Sequence, residues 1–226
     1  KYKSRNGSYD VLVPGSGGKD SVYASHLLKY KYGMNPLTVT WAPHLYTDIG
    51  WKNFQNWLHV GGFDNYLFTP NGQVHRKLTQ LAFKNLLHPF QPFILGQKNF
   101  APKIASQFNI PLVIYGDNEA EYGNPINENS SSARDKSYYS LDREDFNDIY
   151  LGGEHISNFE THNIKKTDLE PYLPLTNEQK HFSDINVHYL GYYLKWIPQE
   201  CYYYAVENVE FEANPVRTEG TYSKYN

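Results

Sequence analysis

Apolar residues in the first half of the chain fall into short blocks separated by longer stretches with helical spacing. Tyr9-Asp10-Val11-Leu12-Val13 is β-rich and is ended by Pro14 and Gly15. Leu37 to Trp41, Asn65 to Phe68 and Pro111 to Tyr115 are three further runs of the same kind. Between the first two, Val22, Tyr23, His26, Leu27 and Tyr30 recur at helical spacing over Lys19 to Tyr32, and Gly33 stops the pattern. Helices are predicted near Trp51 to Val60, from about Val74 to Leu87 ahead of Pro89, and over Lys98 to Phe108 in spite of Pro102. Strands that alternate with helices pair in parallel through right-handed crossovers. The expected fold class is therefore α/β, a doubly wound and mainly parallel sheet with helices on both faces. Ligands of such sheets sit at the carboxyl ends of the strands, near the switch in strand order.

The pattern changes near Pro125. Asn127 to Ser132 and the charged run Arg134 to Asp148 are polar, as is Leu175 to Asn186. Val187 to Trp196 is dense in aromatics, and for Cys201-Tyr202-Tyr203-Tyr204-Ala205-Val206 periodicity leaves strand and helix both open. The expected organisation is a nucleotide-binding α/β domain over 1–124 and an aromatic-rich extension over 125–226, packed on the first and serving a substrate or a partner.

Composition narrows the classes. The 226 residues carry 21 basic and 24 acidic side chains, a net charge of −3, which disfavours a duplex-binding surface and hence nucleic acid as a partner. One cysteine, Cys201, excludes an intramolecular disulfide and any CxxC pair, and is read as buried packing. No 18-residue apolar span is present, so no membrane insertion is expected, and the reading is of a cytoplasmic protein. Aromatics make up 16%, with 21 tyrosines, which suits packing and also the recognition of sugars or bases.

The chemistry is concentrated in Ser16-Gly17-Gly18-Lys19-Asp20-Ser21, directly after the first strand and at the start of the first helix. Glycines let the backbone turn tightly and present successive N–H groups to an anion. The helix start adds unpaired N–H groups and a positive dipole end. Ser16 and Ser21 add hydroxyls and Lys19 a positive charge, so the turn reads as a phosphate site. The Walker pattern needs Ser or Thr after Gly-Lys, where Asp20 stands, and a glycine where Val13 stands. The dinucleotide fingerprint needs a glycine at Asp20 when counted from Gly15. An aspartate in a phosphate turn calls for a cation, and Asp20 is expected to bind Mg²⁺ beside a pyrophosphate. A second cluster follows the fourth strand: Gly116, Asp117, Asn118, Glu119 and Glu121, with Asp117 and Glu119 suited to holding metal, orienting an acceptor or acting as base.

The Ser16–Ser21 string so placed resembles the pyrophosphate loop of the PP-loop, or N-type, ATP pyrophosphatases, whose fold is of the adenine nucleotide alpha hydrolase kind. Longer segments are similar to the N-acetyl sugar amidotransferases of that superfamily: Asn35 to His44, Asp64 to Gly72, Leu87-His88-Pro89-Phe90-Gln91-Pro92-Phe93-Ile94-Leu95-Gly96-Gln97, the Asp117 loop, and Asn214 to Tyr222. The resemblance implies ATP and Mg²⁺ as cofactors and adenylylation of the acetamido oxygen of an N-acetyl sugar or its nucleotide conjugate. Ammonia then displaces AMP to give an acetamidino sugar, for bacterial surface polysaccharide such as lipopolysaccharide, or for nonulosonic acids. It implies as partners a glutaminase subunit and a cyclase-like subunit that conducts ammonia. It also implies a cysteine-rich, zinc-binding segment ahead of the ATP loop and further chain beyond the equivalent of Asn226, so the chain is expected to be the core of a longer protein.

On that resemblance Lys19, Asp20, Asp117 and Glu119 are the expected catalytic residues. Ser16, Gly17, Gly18, Lys19, Asp20, Ser21, Thr40, Trp41 and Gly116 are the expected ATP contacts. His44, His88, Gln91, Lys98, Asn99 and Arg217 are substrate candidates. Two other readings stay open: a tRNA-modifying or other amide-forming PP-loop ligase such as NAD synthetase, and a non-catalytic nucleotide-binding module.

Overall fold

A computed structural model describes residues 1–116, 132–133, 140–141, 148–176, 185–217 and 224. In chain order its first elements are β1 (Val11–Pro14), α1 (Lys19–His26), a π-helical turn (Leu27–Lys31), β2 (Pro36–Trp41), α2 (Asp48–His59), β3 (Asp64–Phe68), α3 (Gly72–Leu86), α4 (Gln91–Gln107) and β4 (Leu112–Tyr115). There follow β5 (Ser140–Leu141), β6 (Tyr150–Leu151), β7 (Glu154–His155), a 3₁₀ helix (Ile156–His162), α5 (Lys166–Leu169), β8 (Leu175–Thr176), β9 (Asn186–Tyr189), α6 (Leu190–Tyr193) and α7 (Pro198–Val209).

Five strands form one sheet in the order β3-β2-β1-β4-β9, and every pairing in it is parallel. The chain runs outward from β1 to β2 and β3, then returns to add β4 on the other side of β1. The switch in strand order therefore lies between β1 and β4, as the alternation of strands and helices predicts. Side chains of β1 alternate between the two faces. Leu12 joins a core with Leu37, Val39 and Trp41 of β2, Val74 and Leu78 of α3, and Phe100 and Ile104 of α4. Val11 and Val13 meet Ala24 and Leu27 on the α1 side. Helices thus cover both faces, and the doubly wound α/β class stands.

The four expected strands agree with β1 to β4. α4 begins at Gln91, seven residues before the expected start at Lys98. Pro92 sits in its first turn, where a missing N–H costs nothing, so the Pro-rich stretch opens the helix instead of delaying it. Cys201 to Val206 is helical within α7, which has Pro198 at its start and buries Cys201, Ala205 and Val209 along one stripe. That stripe packs beside α1: Val22, Phe54, Trp57, Ala205 and Val209 share a cluster, and His26 Nδ1 lies 2.7 Å from the Tyr204 hydroxyl. Val187 to Trp196 splits into β9 and α6, and β9 completes the sheet beside β4. The 124/125 division falls outside the described residues. No described helix is long and apolar enough to cross a membrane.

Candidate functional site

The turn after β1 is built around glycines with three different jobs. Gly15 donates its N–H to the Val39 carbonyl at 2.9 Å, holding the start of the turn against β2. A methyl on Gly15 would fall 2.1 Å from Ser21 Cβ, so the turn doubles back onto α1 only with glycine there. Gly17 has φ +83° and packs on the α2 backbone, where an added Cβ would lie 2.6 Å from Phe54 Cα. Gly18, the residue capping α1, has φ −71° and no atom within 4 Å of where a Cβ would point. The turn is closed at Gly15 and Gly17 and open at Gly18, where the N–H groups of the first turn of α1 begin.

Ser16 is exposed, while Lys19 and Ser21 are buried. The Ser21 hydroxyl donates to the Gly18 carbonyl at 2.9 Å, so its proton is spent inside the turn. Lys19 Nζ meets Asp20 Oδ2 at 2.6 Å, with the lysine side chain 8% exposed. Asp20 Oδ1 is buried and has no hydrogen-bond partner. An orphaned carboxylate oxygen beside a phosphate turn fits a divalent cation that takes its remaining ligands from phosphate and water. Among the described residues no group of three or more His, Cys, Asp or Glu is placed to hold a metal by itself.

Gly116, one residue past β4, faces this turn. A Cβ on it would lie 2.5 Å from the Asp20 carbonyl oxygen. The close approach that glycine permits here is to the backbone of α1. The strands on either side of the switch are thereby joined through Gly116 and Asp20. Asp117 and Glu119 lie outside the described residues.

Thr40 and Trp41 end β2 beside the turn, yet both side chains point into the protein. Thr40 is 1% exposed and its hydroxyl accepts from Asn65 Nδ2 at 3.1 Å. The Trp41 ring is enclosed by Phe68, Phe100 and Tyr172, with centroids 5.0, 5.9 and 5.3 Å away. Both side chains are thus packed inside the protein at this strand end.

The substrate candidates separate. His44 is exposed and its ring stands 4.7 Å from that of His75 and 5.2 Å from Phe93. His88 is exposed in the turn after α3. Gln91 opens α4, and its Oε1 accepts from the Gly152 N–H at 3.0 Å, a tie to the β6–β7 hairpin. Lys98 is half-buried in α4, and Asn99 is buried with Nδ2 donating to the Tyr172 carbonyl at 2.7 Å. Arg217 is exposed beyond α7.

Sequence reasoning missed His75. It lies in the first turn of α3, buried, with Nδ1 2.8 Å from the Tyr172 hydroxyl and Nε2 unpartnered. Burial, and after it the neighbouring His44, push its pKa down from 6.5 to about 4, so the ring is neutral at pH 7. Its position between Val74 and Leu78 reads as one polar residue on a core stripe. Only the contact with Tyr172, 97 residues away, sets it apart.

No protein-family model matches the chain, and no curated protein matches it either. Solved structures share parts of its architecture. The NH3-dependent NAD synthetase from Campylobacter jejuni subsp. jejuni aligns at 15% identity and a TM-score of 0.40, over 53% of this chain and 51% of that one. A predicted subunit of tRNA methyltransferase from Methanocaldococcus jannaschii aligns at 19% identity and a TM-score of 0.33, over 52% of this chain and 56% of the other. The NMN synthetase from Francisella tularensis aligns at 13% identity and a TM-score of 0.39, over 90% and 83%. The chain thus spans about half the length of the first two.

Proposed function

We propose that the protein is a PP-loop ATP-dependent ligase that activates the acetamido group of an N-acetyl sugar for replacement of its oxygen by ammonia. The observation that carries the reading is the glycine turn at the switch between β1 and β4, open at Gly18, with Lys19 and an unsatisfied Asp20 oxygen beside it. The reading as a sugar amidotransferase rests on the sequence resemblance.

When ATP binds, its β- and γ-phosphates lie over the N–H groups at the start of α1. Lys19 exchanges its bond with Asp20 for a phosphate oxygen, and Asp20 supplies an oxygen ligand for Mg²⁺. Mg²⁺ held there would offset the charge that builds on the leaving pyrophosphate. The acetamide oxygen attacks the α-phosphorus, the bond from phosphorus to pyrophosphate breaks, and an O-adenylyl imidate forms. Ammonia then adds to the imidate carbon, the carbon–oxygen bond breaks, and AMP departs with the former amide oxygen. One proton leaves with pyrophosphate and the others remain on the amidinium product. The protein's part is alignment and exclusion of water, and no covalent link to the chain is needed. In this scheme Asp117 and Glu119 orient the acceptor or hold metal. A glutaminase with a cyclase-like conduit supplies the ammonia in the cytoplasm.

The test is mass spectrometry of N-acetyl sugars incubated with the protein, ATP, Mg²⁺ and ammonium, alongside an assay for pyrophosphate. A product in which NH replaces oxygen, formed together with AMP and pyrophosphate, is the expected result. ATP binding without pyrophosphate release under all these conditions, with glutaminase and conduit subunits also supplied, would instead favour a nucleotide-binding module.

A further inference from the structure

Beyond the carboxyl end of β2, the β2–α2 loop and the α3–α4 turn meet in a group of rings that the phosphate turn does not use. The His44 ring is 5.2 Å from Phe93 and 6.2 Å from Phe90, and it covers His75 at 4.7 Å. The outer members are open to solvent: His44 is exposed, Phe90 is 55% exposed and the flanking Leu87 is 82% exposed. Leu87 holds a left-handed conformation, φ 54°, as the C-cap of α3, and it begins the turn that carries Phe90.

Beneath the rings lies a second, independent feature. His75 Nε2, Trp41 Nε1 and Asn99 Oδ1 are buried and have no hydrogen-bond partner. All three residues gather around Tyr172: its hydroxyl meets His75 Nδ1 at 2.8 Å, its carbonyl accepts from Asn99 Nδ2 at 2.7 Å, and its ring is 5.3 Å from Trp41. Buried polar atoms are nearly always paired, so three unpaired ones around a single residue offer partners to a ligand group. The chemistry of two of them is fixed. An indole N–H only donates, and Asn99, whose NH₂ is engaged by a carbonyl, is left with an acceptor. A secondary amide offers the complement, one C=O and one N–H.

We propose that this is the acceptor site: an uncharged sugar ring lies on His44, Phe90 and Phe93, and its acetamido group is read by Trp41, His75 and Asn99. The inference rests on the amidotransferase reading and names the side chains that would give it specificity. The set contains neither lysine nor arginine, which favours a neutral ring over a phosphate or carboxylate. His75, neutral at pH 7, donates or accepts without placing a charge beside the amide.

Saturation-transfer NMR with a panel of free N-acetylhexosamines, and the parent hexoses as controls, tests the site; ATP affinity is titrated separately. The expected result is transfer to ring and N-acetyl methyl protons of at least one N-acetylhexosamine and to none of the parent hexoses. His44→Ala and Phe90→Ala, both at exposed positions, should each weaken that binding about tenfold while ATP affinity stays unchanged. Sugar binding that survives both substitutions, or ATP binding with no N-acetylhexosamine bound, overturns the inference. Sugar binding in a protein that does not bind ATP would support the ring site and defeat the nucleotide reading instead.

Discussion

Gly116 stands against Asp20 so closely that a methyl group on it would lie 2.5 Å from the Asp20 carbonyl oxygen and 2.8 Å from the carbonyl carbon. The neighbour is backbone in the first turn of α1, which cannot rotate away as a side chain would. The end of β4 therefore sets the height of the residue proposed to hold Mg²⁺. Gly116→Ala should cost about 1–3 kcal/mol of stability and lower pyrophosphate release further than that loss explains. Chemical denaturation paired with a pyrophosphate assay measures both. Unchanged turnover in a folded Gly116→Ala protein would show that the contact does not position Asp20.

Two neighbouring glycines should separate structure from binding. Gly17→Ala forces a side chain into positive φ and against Phe54 Cα, so a loss of about 1–3 kcal/mol is expected. Gly18→Ala meets no atom within 4 Å and keeps an ordinary φ. Its cost is that of a poorer cap, about 1 kcal/mol or less, but its methyl projects into the proposed phosphate mouth. ATP affinity should fall more for Gly18→Ala, and melting temperature more for Gly17→Ala. The reverse order would place the mouth elsewhere.

Lys19 and Asp20 should fail in different ways. Lys19→Ala removes a buried cation and should reduce pyrophosphate release by about 10²–10³-fold at any Mg²⁺ concentration. Asp20→Asn keeps the shape and removes the carboxylate, so part of its loss should be recovered at raised Mg²⁺. Kinetics across a Mg²⁺ titration distinguish the two. An Asp20→Asn protein with wild-type Mg²⁺ dependence would end the assignment of Asp20 to the metal.

Much of the fold was legible because β1, β2 and β4 are buried and apolar, and because proline or glycine bounds these strands and the half-exposed β3. β9 was not, since its Asn186-Val187-His188-Tyr189 has one aliphatic residue, and its place depends on pairing with β4. The phosphate turn was readable because its chemistry is local, six consecutive residues between a strand and a helix. Trp41 and His75 were not, because their roles come from Tyr172, more than a hundred residues on from Trp41 and 97 from His75. Spacing along the chain carries no trace of such contacts.

Gly96 offers a check on Trp41. A Cβ there would sit 2.3 to 2.6 Å from three atoms of the indole ring, which is itself enclosed. Gly96→Ala should therefore cost about 1–3 kcal/mol through overpacking and alter tryptophan emission as the ring shifts. If stability were instead raised, as expected for an exposed helical glycine, the indole would not be packed against α4.

His75 gives the fold an acid-sensitive point. Burial first, then His44, lower its pKa from 6.5 in the unfolded chain to about 4 in the fold. Above pH 6.5 neither state holds the proton. As pH falls from 6.5 toward 4 the unfolded chain takes it up and the folded protein does not, so stability declines through that window. The full decline amounts to about 3 kcal/mol. His26 and His188 are also shifted down by burial and add to the same trend, so the measurement must be a difference. His75→Gln, which can still hydrogen-bond Tyr172, removes this titration alone. Unfolding free energy measured from pH 7 to pH 4 should fall more steeply in the wild type than in His75→Gln. Parallel pH profiles for the two proteins would mean that His75 is protonated as readily inside the fold as outside it.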